Sequence, residues 1–210
     1  IGHVAHGKST LCKVLTGVDP IKFAAEKVNN ITIKLGFANA KIFECKDCAA
    51  PKNYFSQKSS SPDQPPCPTC KGTHTQLLRH ISIIDCPGHH DYMTTMLSGV
   101  AAMDGTLLLI SAEQRCPQEQ TREHFQAIQA TGQKKIIIAQ NKIDLVTEQQ
   151  AQNNYQEIQA FVHGISDINV VPISAIQNLN IDYILKHLVE TITPPRRNLK
   201  AHPRFTIIRS

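Results

Sequence analysis

In the second half of the chain, hydrophobic and polar positions alternate between two periods. Short apolar runs at residues 77–84, 106–110, 136–139 and 170–173 read as strands. Between and after them the spacing turns helical. Residues 92–100 place Tyr92, Met93, Met96, Leu97 and Val100 on one face, and residues 118–131 form a second helix. Residues 149–163 align Ala151, Tyr155, Ile158 and Val162, and residues 181–191 align Ile181, Ile184, Leu185, Leu188 and Val189, with Ile192 continuing the stripe. Pro194 and Pro195 stop the last helix, and Pro172 assigns its strand to a sheet edge. Buried strands alternating with amphipathic helices predict an α/β fold, a mostly parallel sheet covered by helices on both faces. Such sheets hold ligands at the carboxyl ends of their strands, so the turns that follow each strand carry the information.

The first half is less regular. Residues 8–16 predict a helix stopped by Gly17, residues 18–34 are polar and aperiodic and read as a mobile loop, and residues 38–43 alternate like an edge strand. Over 45–72 the chain turns to Pro, Ser, Lys and Cys, with almost no core-forming residues.

Composition narrows this only modestly. A length of 210 residues and 41% hydrophobic content fit one domain plus a small insertion. Lys+Arg 22 against Asp+Glu 17 permits, without demanding, a nucleic-acid-facing surface. Apolar runs stay below membrane-spanning length and no signal peptide precedes the first motif, so a soluble intracellular protein is expected. Only Ile1 precedes that motif, and 205–208 reads as a strand beginning near the last residue, so a fragment of a longer protein is expected.

The turns carry recognisable chemistry. G-H-V-A-H-G-K-S-T at 2–10 fits the G-x-x-x-x-G-K-[ST] phosphate loop. There the main-chain amides of Ala5, His6, Gly7, Lys8, Ser9 and Thr10 wrap the phosphates, Lys8 adds a point charge, and the Ser9 hydroxyl suits Mg²⁺. D-C-P-G-H at 85–89 ends a strand with Asp85, a carboxylate suited to Mg²⁺. Gly88 offers a bare N–H for a γ-phosphate, and His89 a ring to position water. N-K-I-D at 141–144 predicts a guanine pocket: Asp144 accepts from N1–H and the 2-amino group, Asn141 reaches the O6/N7 edge, and the Lys142 stem covers the ring. S-A-I at 174–176 (Ser174, Ala175, Ile176) brings an Ala175 N–H toward guanine O6.

The seven cysteines are an odd number, and four of them form C-K-D-C at 45–48 and C-P-T-C at 67–70, separated by 18 residues. That spacing predicts a closed, structural Zn²⁺ site on Cys45, Cys48, Cys67 and Cys70, supplying folding energy that a Ser/Pro-rich segment lacks. Cys12 and Cys116 read as packing or surface residues.

In this order the motifs resemble the GTP-binding domain of the translational GTPases related to elongation factor Tu. N-I-T-I-K-L-G (30–36), A-N-A-K-I (38–42), C-P-Q-E-Q-T-R-E-H (116–124), A-F-V-H-G (160–164) and I-I-R-S (207–210) are most similar to the gamma-subunit branch of the eukaryotic initiation factors. The resemblance implies a GTP-binding domain over 1–196, a zinc knuckle within it at 45–72, and a linker plus the first strand of a β-barrel over 197–210. It implies Thr32 as the switch threonine that ligates Mg²⁺ and reads the γ-phosphate, residues 18–31 as the effector loop, and His89 as the water-positioning histidine. It further implies a switch that binds GTP/GDP and hydrolyses GTP, with Lys8 and Thr32 beside His89. Hydrolysis is expected to be slow without a partner, because Arg79 lies on a strand and Arg115 on a loop, neither placed as an arginine finger. The implied partners are sister alpha and beta subunits, initiator methionyl-tRNA, the small ribosomal subunit, a GTPase-activating factor and a nucleotide-exchange factor, in the cytoplasm. Ala5 replaces the Asp of bacterial elongation factors, Asn29 stands where the family has Arg, and His90 and Asp91 follow the elongation-factor pattern. Three rivals stay open: an elongation- or selenocysteine-type GTPase, an ATP-using P-loop enzyme, and a zinc-containing nucleic-acid module.

Overall fold

The structure, a computed structural model, describes residues 1–20, 26, 32–100, 102–165, 168–195, 198 and 200–202. Most of the effector loop expected over 18–31, including Asn29, lies outside the described residues, as does the strand expected at 205–208 with most of 197–210.

The described elements are α1 (Lys8–Thr16), β1 (Gly36–Cys45), β2 (Tyr54–Lys58), β3 (Thr75–Asp85), α2 (Met93–Val100), β4 (Thr106–Ser111), α3 (Glu119–Ala130), β5 (Ile136–Asn141), α4 (Glu148–Phe161), β6 (Asn169–Pro172) and α5 (Ile181–Thr191). β4, β5 and β6 form a parallel sheet with β6 at its edge, as Pro172 requires. β2, β1 and β3 form an antiparallel sheet, so the parallel half is the half built from strand–helix repeats. Ile1 and Gly2 run alongside β4: the Leu109 amide donates to Ile1 O at 2.9 Å, and Gly2 bridges Leu109 in parallel. An apolar cleft of about 450 Å³, lined by Ile81, Ile83, Leu107, Leu109, Leu188 and Ile192 among others, lies between β3 and β4 beside Ile1.

Period-two alternation on the parallel strands divides the core. Leu108, Ile110, Ile136 and Ile138 face Met96, Val100, Phe125, Ile128, Ile158 and Val162 of the α2, α3 and α4 layer. Leu109, Ile137 and Ala139 face Leu11, Leu15, Ile184 and Leu185 of α1 and α5. Two expectations need correction. Leu97, placed on the buried face of its helix, is 43% exposed, while Gly99 packs inward instead. Over 45–72 the chain does have core: β2 pairs with β1, and Phe55 stacks on Phe43 with centroids 5.4 Å apart, beside buried Cys45 and Cys67. The sequence pattern hid this because the apolar partner, Phe43, lies outside the segment. Among the described residues, none of the helices is long and apolar enough to cross a membrane.

Candidate functional site

The turn at 2–7 owes its shape to left-handed backbone at Ala5 (φ 60) and Gly7 (φ 92), which curls it into the start of α1. Any Cβ at Gly7 would strike the Asn141 amide, and one at Gly88 would strike the Lys8 amine and the Gly2 carbonyl. The D-C-P-G turn is therefore pressed directly onto the phosphate loop. Lys8 donates to His3 O at 2.8 Å. Burial lowers its ammonium to about 8, with the Asp85 carboxylate opposing that shift.

Ser9 Oγ donates to Asp85 Oδ2 at 2.6 Å and lies 3.2 Å from Thr32 Oγ1. Three oxygens from three separate segments thus converge at the N-terminus of α1. Burial raises the Asp85 carboxyl, while the Ser9 hydrogen bond and Lys8 act against it. This all-oxygen donor set fits the hard Mg²⁺ ion expected there. The main chain after Thr32 is held by Glu26, whose Oε1 accepts from the Ile33 and Lys34 amides at 3.0 and 2.9 Å.

Asn141 has other partners than the base edge expected of it. Its Nδ2 donates to His6 O at 2.9 Å and its Oδ1 accepts from the Ala175 amide at 3.0 Å. The residue braces the phosphate loop against the S-A-I turn, and the Ala175 N–H expected at guanine O6 donates to Asn141. Ser174 is buried, its Oγ accepting from the Gln177 amide, whereas Ile176 is 77% exposed. The Ile143 amide donates to Ile173 O at 3.3 Å, fixing the N-K-I-D turn to the end of β6. Asp144 sits half-buried in the short 3-10 turn Ile143–Leu145, and Lys142, itself left-handed (φ 66), is pinned by Glu113 at 2.6 Å.

His6, expected among the nucleotide-binding positions, turns its side chain inward: Nδ1 meets Leu109 O and Nε2 meets Gln114 Oε1, each at 3.0 Å. Thr10 and Ala5 are exposed. His89 caps the 3-10 turn His90–Tyr92, its Nδ1 accepting from the Asp91 amide at 3.3 Å. It is close enough to His3 to add, after burial and Lys8, to the lowering of that imidazole.

Sequence reasoning missed the residues that hold these turns from behind. His124, on α3, accepts from the Gly2 amide at 3.2 Å, and burial lowers its imidazole to about 3, keeping it a neutral acceptor. Gln114, Glu113 and Glu26 escaped notice equally. A polar residue bonded to distant main chain leaves no periodic trace, and His124 registered only as part of C-P-Q-E-Q-T-R-E-H.

The four cysteines meet as predicted. Cys45 Sγ lies 3.5 Å from Cys70 Sγ, Cys48 Sγ lies 3.9 Å from Cys67 Sγ, and all four sulfurs fall within 4.8 Å of one another. A tetrahedron with Zn–S bonds of about 2.3 Å has edges of about 3.8 Å, so the donor set fits zinc. Burial raises the Cys67 thiol, but the amides of Cys70 and Thr69 together with the Cys45 and Cys70 thiols outweigh it and hold the group down to about 7; burial and the neighbouring thiols push Cys48 up to about 12. Cys12 is buried and pushed up to about 12 by burial, which agrees with a packing role.

Residues 1–194 match the profile of the family described as "Elongation factor Tu GTP binding domain". Curated relatives include the eukaryotic translation initiation factor 2 subunit gamma of Schizosaccharomyces pombe, 49% identical over all of this chain and 48% of the relative. The subunit 3 of the same factor from Drosophila melanogaster is 48% identical over all of this chain and 45% of the relative. The chain thus spans about half the length of the curated relatives it matches. Among solved structures, a bacterial selenocysteine-specific elongation factor superposes with a TM-score of 0.68 at 26% identity, over 90% of this chain and 27% of that one. The elongation factor SelB of Methanococcus maripaludis, in complex with the GTP analogue GppNHp, gives 0.66 at 22% identity over 96% of this chain and 35% of that one, a likeness of fold.

Proposed function

This chain belongs to the elongation factor Tu GTP-binding domain family, and from that premise we propose that it is the GTP-hydrolysing switch of a translation initiation factor. The observation that carries the proposal is the convergence of Ser9, Thr32 and Asp85 on one side of a phosphate loop that Asn141 ties to the guanine-pocket turns. The amides of 5–10 and Lys8 bind the phosphates, the Gly88 N–H reads the γ-phosphate, and Asp144 selects guanine through two hydrogen bonds that adenine lacks. Magnesium, when held by Ser9, Thr32 and Asp85, supplies positive charge at the phosphate oxygens. His89 orients the attacking water from the turn just after Gly88. Arg79 lies on β3 and Arg115 before α3; with neither read as a finger, intrinsic turnover is slow and awaits an activating partner. Zinc, when held by Cys45, Cys48, Cys67 and Cys70, ties 45–72 to β1 and closes its own coordination, a structural role.

Identity of 48–49% to the initiation-factor subunits supports the finer part of the proposal. In its GTP form the whole protein carries initiator methionyl-tRNA to the small ribosomal subunit in the cytoplasm, within a heterotrimer with alpha and beta subunits, under an activating and an exchange factor. A selenocysteine-type elongation factor is the alternative that the fold likeness favours. Single-turnover GTP hydrolysis by the chain tests the switch: His89→Ala lowers the rate about 10²-fold or more with GTP affinity retained, and an unchanged rate removes His89 from the mechanism. Selection of initiator methionyl-tRNA over selenocysteinyl-tRNA by the full-length protein decides between the two factors.

A further inference from the structure

His89, His90 and Asp91 form a cluster that the nucleotide chemistry does not use as a unit. The two imidazoles stack with centroids 4.3 Å apart and planes inclined by 29°. Asp91 bridges them, with one carboxylate oxygen 3.3 Å from His89 Nδ1 and the other 3.0 Å from His90 Nε2. One ligand atom from each residue lies within 4.8 Å of the other two. Bonds of about 2.0–2.2 Å to imidazole nitrogen and carboxylate oxygen place neighbouring donors of a tetrahedral site about 3.4 Å apart. The two Asp91 separations are of that order but run to different carboxylate oxygens, and the stacked rings hold their lone pairs side by side. Occupancy therefore requires the exposed His90 ring to turn out of the stack toward the Asp91 oxygen that faces His89. The side chains of His90 and Asp91 are 63% and 62% exposed, which leaves solvent free to complete the coordination.

We propose that His89, His90 and Asp91 bind a divalent zinc ion at an open two-nitrogen, one-oxygen site, separate from the four-cysteine centre. Imidazole and carboxylate suit zinc among the late first-row metals, while Mg²⁺, which demands oxygen and keeps its water, is a poor match. The consequence rests on the water-positioning role of His89. A metal on Nδ1 ties the ring to Asp91 and His90 and takes it from the attacking water, so zinc brakes hydrolysis without displacing nucleotide.

The test is zinc titration of the GDP-loaded chain whose four-cysteine centre is already filled, followed by calorimetry and equilibrium dialysis. A further equivalent binds in the micromolar range, and His90→Ala or Asp91→Asn each weaken it by at least about tenfold. Failure of the wild-type chain to take up that equivalent, or equal uptake by both variants, overturns the site. The second readout is single-turnover hydrolysis of bound GTP with and without zinc: the wild-type chain slows, and His90→Ala, with an unchanged basal rate, does not. If zinc binds as expected and hydrolysis does not slow, the metal site stands and the water-positioning role of His89 falls.

Discussion

The nucleotide rim and the cysteine centre are both convergences of donor atoms, reached by opposite routes. The rim gathers turns spread from Gly2 to Ala175, bonded pair by pair across separations of 76 residues for Ser9–Asp85 and 135 for Asn141–His6. Its donors are hard oxygens and main-chain amides, and it exists only once the whole sheet is assembled. The cysteine centre draws its sulfurs from residues 45–70, and its local core is the Phe43–Phe55 pair. The rim is thus a property of the fold, whereas the cysteine centre is held chiefly by its own ligands, and the two respond differently to perturbation.

The largest separation between them comes from Cys67→Ser. This variant loses near-stoichiometric zinc, measured by elemental analysis, and lets protease into 45–72, because four ligands supply stability that one aromatic pair cannot replace. Nucleotide affinity stays within about threefold, since none of the rim residues lies in that segment; a collapse of GDP binding would show that the two regions fold as one. Glu26→Ala acts on the rim instead. Removing the carboxylate that holds the Ile33 and Lys34 amides loosens Thr32, so affinity for a non-hydrolysable GTP analogue falls roughly tenfold while GDP affinity changes little. Equal loss for both nucleotides would make Glu26 merely structural.

His124→Gln is subtler and sharpens the comparison through pH. The His124 imidazole titrates near 3 in the folded chain against an ordinary value of 6.5. Below pH 6.5 the unfolded chain binds a proton that the folded chain refuses, so stability drains away as pH falls from 6.5 toward 3. Glutamine keeps an acceptor for the Gly2 amide and removes the titration, so the variant's denaturant midpoint declines less steeply over that window and matches wild type near pH 7. Parallel decline in both chains would place the acid sensitivity elsewhere.

Much of this was legible in the sequence because phosphate, guanine and zinc chemistry impose fixed spacings. The helices and parallel strands showed as well, since Leu108, Ile110, Ile136 and Ile138 must face one layer while Leu109, Ile137 and Ala139 face the other. Side-chain destinations did not show. Asn141 was read as a base contact, and its second role as a brace did not show, because only the neighbouring His6 carbonyl and Ala175 amide reveal it, while its second N–H stays available to the base edge. β2 was hidden for a similar reason: Phe55 means little until Phe43 is known to lie across the strand pair.

The claim that the dispersed turns grip one guanine nucleotide is tested most directly by base selectivity, comparing GTP, ATP and xanthosine triphosphate on the wild-type chain and on Asp144→Asn. Loss of two charge-assisted hydrogen bonds is expected to weaken GTP roughly 10²- to 10³-fold and to swing preference toward xanthine. Equal binding of ATP and GTP by the wild-type chain, or an unchanged preference in Asp144→Asn, would contradict the account.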